Sequence, residues 1–457
     1  MTDTLTCINP ATGETLGSVP VSTPRDVDRA CRKAQLAFDG EWSRNSRMRS
    51  DFLRSWADNI EQRRDEVAAM LTAETGKVRR ESESEVALTV EALRFNSPLS
   101  RLVSGTTHEL PDGSVGHVMR QPAGVSAFII PWNWPIFLLF RDLAPALAAG
   151  VTAVVKPAPQ TPLSLGLVLE AMPELEHEVV LSVPGGAETG SALTDHELVK
   201  VVAFTGSTHV GKTVAEAASR RFAKPVLELG GKGTSILAAD ANVDAALTAC
   251  IQSGFLTSGQ MCMANSRLLV HTSIYSTVVE ELAERIATLT VGDPTDAATD
   301  MGPVISKQHG SLVQRFMDLA RAEGQVIVGG GPATGIGLDG AYLQPTLVAA
   351  PLVDPRISTQ EIFGPVVSVE AFDDIEDAVL RANDTQYGLS AAIWTQDSAT
   401  AWSAARNLDF GTVWVNRYNR TFAETPSGGM KASGTGRSRG FEGINEFTEL
   451  KHVNWEA

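Results

Sequence analysis

The spacing of apolar residues changes character near residue 124. Before that point apolar positions recur at helical intervals. Thr23-Pro24-Arg25-Asp26 has the form of an N-cap with proline in the first helical position, and Val27, Ala30, Ala34 and Ala37 follow on one face. Arg44 to Arg101 is long, charged and periodic, with Phe52, Leu53, Trp56 and Ile60 at helical spacing, and Glu81 to Leu93 continues the pattern. Its charge runs predict solvated helix faces. After Gly124, apolar runs alternate with helical segments such as Val210–Ala218: Val125–Ile130, Thr152–Lys156, Val179–Val183, Val199–Phe204 and Ser235–Ala238. Runs without polar alternation predict strands covered on both faces, hence a parallel sheet. After Ala264 a second set begins, with Arg267–His271, Gln325–Val328, Val366–Ala371, Ala391–Trp394 and Thr412–Asn416, and it predicts a second α/β domain. Gly329-Gly330-Gly331-Pro332 and Pro426 to Gly436 read as glycine-rich turns. The tail from Gly440 onwards reads as a strand-like end that pairs with a neighbouring subunit.

Composition narrows the classes. The chain has 457 residues, enough for about two or three domains at roughly 150 residues each. A net charge of −16 argues against nucleic acid and against anionic membrane surfaces as partners. Four scattered cysteines offer neither a disulfide framework nor a metal-ligand spacing, so no metal is expected and a reducing compartment fits. The first residues lack a basic start followed by an apolar core. The longest apolar stretches, Val125–Ile130 and Ala144–Val155, are too short or too broken to span a bilayer. A soluble, cytoplasmic protein is expected.

Phe204 to Thr213 follows a strand and opens a helix, and Gly206, Gly211, Lys212 and Thr213 satisfy G-x-x-x-x-G-K-[ST], the phosphate loop of NTPases. The apolar run Ser235 to Asp240 even ends in an acid that could serve magnesium. Three points count against that reading. The pattern is short, the acid follows the loop closely, and Asn133, Glu228 and Cys262 are left without a role. A helix N-terminus binds any phosphate, including the pyrophosphate of a dinucleotide, and Ser207 would add a donor. A tight turn with no ligand is the bland alternative.

Cys262, in Gly259-Gln260-Met261-Cys262, follows the uncharged run Ile251 to Ser258. A thiol among small residues serves as a nucleophile once a neighbouring charge or dipole lowers its pKa; otherwise a free cysteine fills space. Asn133, in Pro131-Trp132-Asn133-Trp134-Pro135, could donate to an oxyanion or bond its own turn. Glu228, ending an apolar strand before Gly230-Gly231, has the setting of a base with a raised pKa, or of a partner for Lys232 or Lys224. Glu361, before Phe363-Gly364-Pro365, could bind sugar hydroxyls or cap a turn.

Together these residues resemble the aldehyde dehydrogenase superfamily. The resemblance runs from Ile8-Asn9-Pro10-Ala11-Thr12-Gly13-Glu14 to Glu446-Phe447-Thr448-Glu449. It rests most on Leu227–Lys232 and Gly259–Cys262, and is joined by Lys156-Pro157-Ala158, Asn383 to Leu389 and Pro426 to Arg437. It implies an α/β fold: a Rossmann-like parallel-sheet cofactor domain (1–103 and 123–229), an α/β catalytic domain (230–439) and a small β oligomerisation arm (104–122 and 440–457). It implies NAD or NADP as cofactor and a homodimer or homotetramer. Cys262 would attack the aldehyde, with Asn133 and the Cys262 N–H holding the oxyanion. Glu228 would activate the water that hydrolyses the thioester. Trp132 and Ser207 would contact the pyrophosphate, Lys156 the adenosine ribose, Glu361 the nicotinamide ribose, and Phe363 would pack beside it.

This chain departs from the family's common pattern at three such positions. Pro159 stands where NAD-preferring relatives often carry Glu; its absence removes a bond to the ribose 2′-OH and repulsion of a 2′-phosphate, so NADP is expected to be tolerated. Asp142 and Ser438 stand where many relatives carry Lys and Glu, so a proton relay through those two is in doubt.

Arg141 lies eight residues after Asn133, about two helical turns on. Succinate semialdehyde dehydrogenases carry Arg there, which implies a carboxylate clamp; an Arg paired with Asp142 is the alternative. The second Arg of those enzymes corresponds here to Leu256. Arg420 and Thr421 would supply polar contacts from the opposite wall, and Trp134, Phe137 and Phe140 would suit an aromatic ring. A short anionic semialdehyde is therefore expected first and a hydroxylated aromatic aldehyde second. A phosphate-loop NTPase and a catalytically silent scaffold protein are the readings from other classes.

Overall fold

The computed structural model describes residues 3–323, 325–349 and 356–455. Its first large sheet has five strands, in the order Val180–Ser182, Thr152–Lys156, Val125–Ile129, Val199–Thr205, Lys224–Glu228, all parallel. Alternate side chains enter two different cores. Phe128 packs on one face with Trp56 and Phe140, while Ala127 and Ile129 pack on the other with Val27 and Phe204. Covering both faces is what requires the unbroken apolar runs.

The second sheet has seven strands, in the order Val326–Val328, Thr346–Ala349, Val366–Phe372, Asn265–His271, Gly233–Leu237, Ser390–Trp394, Thr412–Val415. Only the Val326–Val328 edge is antiparallel. One expectation fails here. The apolar pattern groups the Ser235–Ala238 run with the first sheet, but Gly233–Leu237 is central in the second, between Asn265–His271 and Ser390–Trp394. A strand buried on both faces looks the same in either sheet; the partner is chosen by long-range pairing.

A third, antiparallel sheet joins Thr106–Glu109, Val115–Pro122 and Thr448–Trp455, with Thr448 opposite Pro122 and Trp455 opposite Val115. The tail does not become extended at Gly440. Residues Gly440–Glu446 form a helix against Pro135–Ala149, where a Cβ on Gly443 would stand 3.4 Å from Pro145. Short polar segments carry no clear period, and this one is made helical by what it packs on.

The early helices form as their periodicity predicts, at Pro24–Ala37, Ser46–Gln62, Arg64–Thr75 and Arg79–Leu99. Thr23 and Asp26 form a capping box on the first. The charges nearby are not all solvated, however. Glu74, Lys77, Glu81 and Glu85 are buried. Glu74 accepts from the N–H groups of Leu163 and Ser164, at 2.7 and 2.9 Å, and so caps the Pro162–Glu170 helix. Glu85 accepts from Ile136 and Phe137 N–H, at 2.9 and 3.1 Å, and pairs with Lys77. These acids serve the free N–H groups of other helices, which periodicity cannot reveal. Among the described residues no helix is long and apolar enough to cross a membrane.

Candidate active site

Cys262 sits at the end of a strained turn. Thr257, Ser258 and Gly259 all have positive φ, at 50°, 56° and 71°. The turn persists because buried groups hold it from several sides. Thr257 N–H donates to Glu81 at 2.9 Å, Trp134 Nε1 donates to Thr257 Oγ1 at 2.9 Å, and Ser258 Oγ donates to Gly302 O at 2.8 Å. Gly259 admits no side chain, since a Cβ there would lie 2.1 Å from Gly364 O. The other three cysteines are buried, whereas Cys262 keeps part of its surface accessible. Burial pushes its thiol up to about 11; the Arg141 charge is the largest opposing influence, and the Met263 N–H helps it.

Asn133 lies just before the Pro135–Ala149 helix and is buried. Its Nδ2 donates to Gln260 O at 2.9 Å, which ties the amide to the cysteine turn and leaves its second N–H. Gln260 is anchored in turn, its Nε2 donating to Thr257 O and its Oε1 accepting from Ile305 N–H, both at 2.9 Å.

Glu228 ends the last strand of the five-stranded sheet. Neither anticipated lysine is its partner. Lys232 Nζ donates to Ile357 O at 2.7 Å, and Lys224 pairs with Glu446 at 2.6 Å. The Glu228 carboxylate is buried and its Oε1 has no hydrogen-bond partner among the described residues, an expensive arrangement for a carboxylate of purely structural use. Burial pushes Glu228 up to about 8, with Arg141 opposing. Room beside Oε1 comes from Gly428, where a Cβ would approach it to 2.9 Å.

Arg141 faces inward from the Pro135–Ala149 helix and its charge reaches both Cys262 and Glu228. Its bidentate edge is taken by Asp142, with Nε at 3.2 Å and Nη2 at 2.8 Å, and Nη2 also donates to Thr205 Oγ1 at 2.9 Å. Ser438 Oγ donates to the same carboxylate. Burial pulls Arg141 down, but Asp142 and then Glu228 outweigh it and hold the guanidinium above its ordinary range. Replacing Arg141 with Ala would strand a buried carboxylate, so a loss of about 3–5 kcal/mol is expected in a denaturant titration. A loss below about 1 kcal/mol would mean the pair is effectively solvated.

The residues expected to take a dinucleotide also gather at strand ends. Ser207 N-caps the Thr208–Ser219 helix, its Oγ accepting from Val210 N–H at 3.4 Å, and its O–H remains a donor. Gly206 precedes it, and Gly211 lets that helix approach Leu229, whose Cδ2 would lie 2.4 Å from a Cβ. Lys156, at the end of its strand, is buried against Pro157 O and Gly185 O, each at 2.9 Å, with no carboxylate partner among the described residues. Burial lowers its ammonium to about 8. Trp132 stands edge-to-face with Phe363 at 5.4 Å and with His309 at 5.6 Å. Glu361 Oε1 accepts from Gly231 N–H at 3.0 Å. A capped helix start and a carboxylate-free ammonium fit a pyrophosphate and a sugar. They do not fit a magnesium NTPase. Asp240 follows a strand of the other sheet, and its carboxylate is engaged by Thr395, Gln396 and Asp397.

Leu256, Trp134, Leu88, Asn419, Arg420 and Thr421 line a cleft of about 600 Å³ beside the cysteine turn. Arg420 is exposed and Thr421 half-buried. A smaller cleft, sharing Leu88 and Thr421, is lined by Phe137, Arg141 and Arg439. Phe140 belongs to neither. It is fully buried against Trp56, with ring centroids 4.8 Å apart, because it lies on the core-facing side of its helix. Sequence reasoning missed Glu81, His309 and Arg439. Only Arg439 left a signal, an arginine directly after the flagged Ser438 in a glycine-rich run.

The model of the aldehyde dehydrogenase family matches residues 1–453. The chain is 35% identical over 456 residues to a hydroxyisobutyraldehyde dehydrogenase of Mycolicibacterium austroafricanum, covering 98% of this chain and 90% of that relative. It is 38% identical over 460 residues to aldehyde dehydrogenase 1 of Tanacetum cinerariifolium, covering 98% and 91%. Among solved structures, betaine aldehyde dehydrogenase of Staphylococcus aureus in complex with NAD+ is similar with a TM-score of 0.96 at 35% identity, covering 99% of this chain and 92% of that one.

Proposed function

The chain belongs to the aldehyde dehydrogenase family, and from that premise we propose that it oxidises an aldehyde to the carboxylic acid with NAD+ or NADP+, through Cys262, Asn133 and Glu228. The observation that carries this reading is convergence. Asn133 is tied to the cysteine turn, and the Arg141 charge reaches both Cys262 and the unbonded carboxyl of Glu228.

The chemistry follows from those positions. Sγ of Cys262, once deprotonated, bonds to the aldehyde carbon. The oxygen that becomes negative meets the second N–H of Asn133 and the Cys262 N–H, donors already in place and so costing little reorganisation. A dinucleotide, when bound, would supply the hydride acceptor that lets the carbon bonded to Cys262 become a thioester. Glu228 then removes a proton from water, the water oxygen bonds to the acyl carbon, the C–S bond breaks, and the acid leaves with the thiol restored. Lys156, Ser207, Glu361, Trp132 and Phe363 would hold the dinucleotide. An NAD(P)H absorbance assay over a panel of aldehydes tests this, and no reduction with any aldehyde would overturn it.

Pro159 supports dual cofactor use, because no carboxylate at that position meets the ribose 2′-hydroxyl or repels a 2′-phosphate. We expect kcat/KM with NADP+ to lie within about tenfold of that with NAD+, against the ~10⁴-fold a purpose-built polar site achieves. Strict NAD use in steady-state kinetics would remove this expectation.

For the substrate we favour a short anionic semialdehyde, supported by the cations beside the cleft. The paired rings of Trp134 and Phe137, 6.4 Å apart, favour an aromatic aldehyde as the second reading. The three-stranded arm exposes Leu450 and Trp455, at 62% and 65%, which supports pairing with a second copy of the chain.

A further inference from the structure

We propose that Arg439 is the specificity-determining residue of this site, and that it selects aldehydes carrying a carboxylate at the end remote from Cys262. The proposal deepens the reading above and rests on it.

Two guanidiniums line the small cleft, and they are not equivalent. Arg141 spends its Nε and Nη2 on Asp142 and Thr205, leaving only Nη1. The Arg439 side chain makes no hydrogen bond or ion pair among the described residues. Its guanidinium carbon lies 5.2 Å from the centroid of the Phe137 ring, which holds the planar group by its face and leaves its N–H edges open. Residue 439 is pinned at this spot by its neighbour, because Ser438 Oγ donates to Asp142.

The local charge is unbalanced. Asp142 is already divided between Arg141 and Ser438. Glu228 faces both arginines but holds its proton to about pH 8. Glu91 lines the same cleft and is exposed; its charge reaches Arg439, but among the described residues it forms no ion pair with it. Two cations therefore share one fully committed buried carboxylate. Burial, and then the Arg141 charge, lower Arg439 to about 10, so it remains cationic at neutral pH. A largely desolvated cation with no partner is costly, and a bound anion offsets that cost.

The backbone points the same way. Arg439 has φ 67° and ψ 170°, a region that suits glycine, and Gly440 follows at φ 55°. Glycine would relieve that strain, so the arginine side chain is held there against the backbone's preference. A carboxylate placed between Arg439 and Nη1 of Arg141 would meet two donors. A neutral aldehyde would leave both bare.

The test uses two aldehydes of equal chain length, 4-oxobutanoate and butanal, and the variants Arg439→Met, Arg439→Lys and Arg439→Gly. The wild type is expected to prefer 4-oxobutanoate. In Arg439→Met the ratio of kcat/KM for 4-oxobutanoate to that for butanal should fall about tenfold or more, mainly through KM, with Arg439→Lys recovering part of it. Inhibition by succinate should weaken in parallel. Arg439→Gly should lose the same preference without a lower Tm, which separates recognition from folding. An unaltered ratio in Arg439→Met and Arg439→Gly, with butanal still oxidised, overturns the proposal and leaves the aldehyde-oxidising reading intact. A wild type that reduces the dinucleotide with no aldehyde at all overturns both.

Discussion

Cys262→Ala should lower kcat for aldehyde oxidation by about 10⁴-fold or more, a size seen when a covalent nucleophile is removed. Among the described residues no other cysteine is placed to take its role. Cys7, Cys31 and Cys250 are buried, and burial raises their thiols to about 11, 12 and 12. Cys262 is raised as well, but it alone of the four has the Arg141 charge as its main counterweight and keeps an accessible face. The strained turn before it supports the expectation, since Thr257, Ser258 and Gly259 hold positive φ only because Glu81, Trp134 and Gly302 grip the turn. Intact-mass spectrometry of wild type quenched during turnover should show an acyl adduct that the variant lacks. Oxidation that continues at more than a hundredth of the wild-type rate in Cys262→Ala would sink the mechanism.

Glu228→Gln should lower steady-state kcat by about 10²–10⁴-fold, the usual worth of a positioned general base. The first hydride transfer precedes the step that Glu228 serves, so a burst close to one NAD(P)H per site should survive, followed by a slow phase. Its pH dependence has a definite sign. With Glu228 raised to about 8, the base form grows as pH climbs through 8, so thioester hydrolysis should rise over that range in wild type and lose that limb in the variant. The stability consequence runs opposite. The unfolded carboxyl loses its proton near the ordinary value of 4.5 and the folded one near 8, so between these the folded protein binds more protons and loses stability as pH rises. Glu228→Gln removes that term, and its Tm relative to wild type should climb from pH 5 to pH 8. Matching pH profiles for rate and for Tm in the two proteins would show that Glu228 does not titrate in this range.

Cys262, Asn133 and Glu228 were legible in the chain because each stands in a short motif bounded by Gly, Pro or Trp. The strands Thr152–Lys156 and Val199–Thr205 were legible because residues buried on both faces leave an unbroken apolar run. Arg141 was legible as a cation near the site but not as a partner. Whether its fork met a substrate or Asp142 depended on side-chain directions, and the structure gives that edge to Asp142. Phe140 went astray for the same reason, since the six apolar residues in a row from Pro135 to Phe140 do not say which side of the helix faces the core.

The chain by itself determined most of the order of elements and the short motifs around Cys262, Asn133 and Glu228, because helical period, glycine placement and local turns act over a few neighbouring residues. Only the tertiary structure decided that Gly233–Leu237 joins the second sheet, that Glu74 and Glu85 turn inward to cap distant helices, and that the Arg439 side chain is left unpaired among the described residues beside a paired Arg141. Strand partners, helix-end satisfaction and charge balance are settled between segments far apart in sequence, where burial removes water and leaves each polar group only the neighbours the fold supplies.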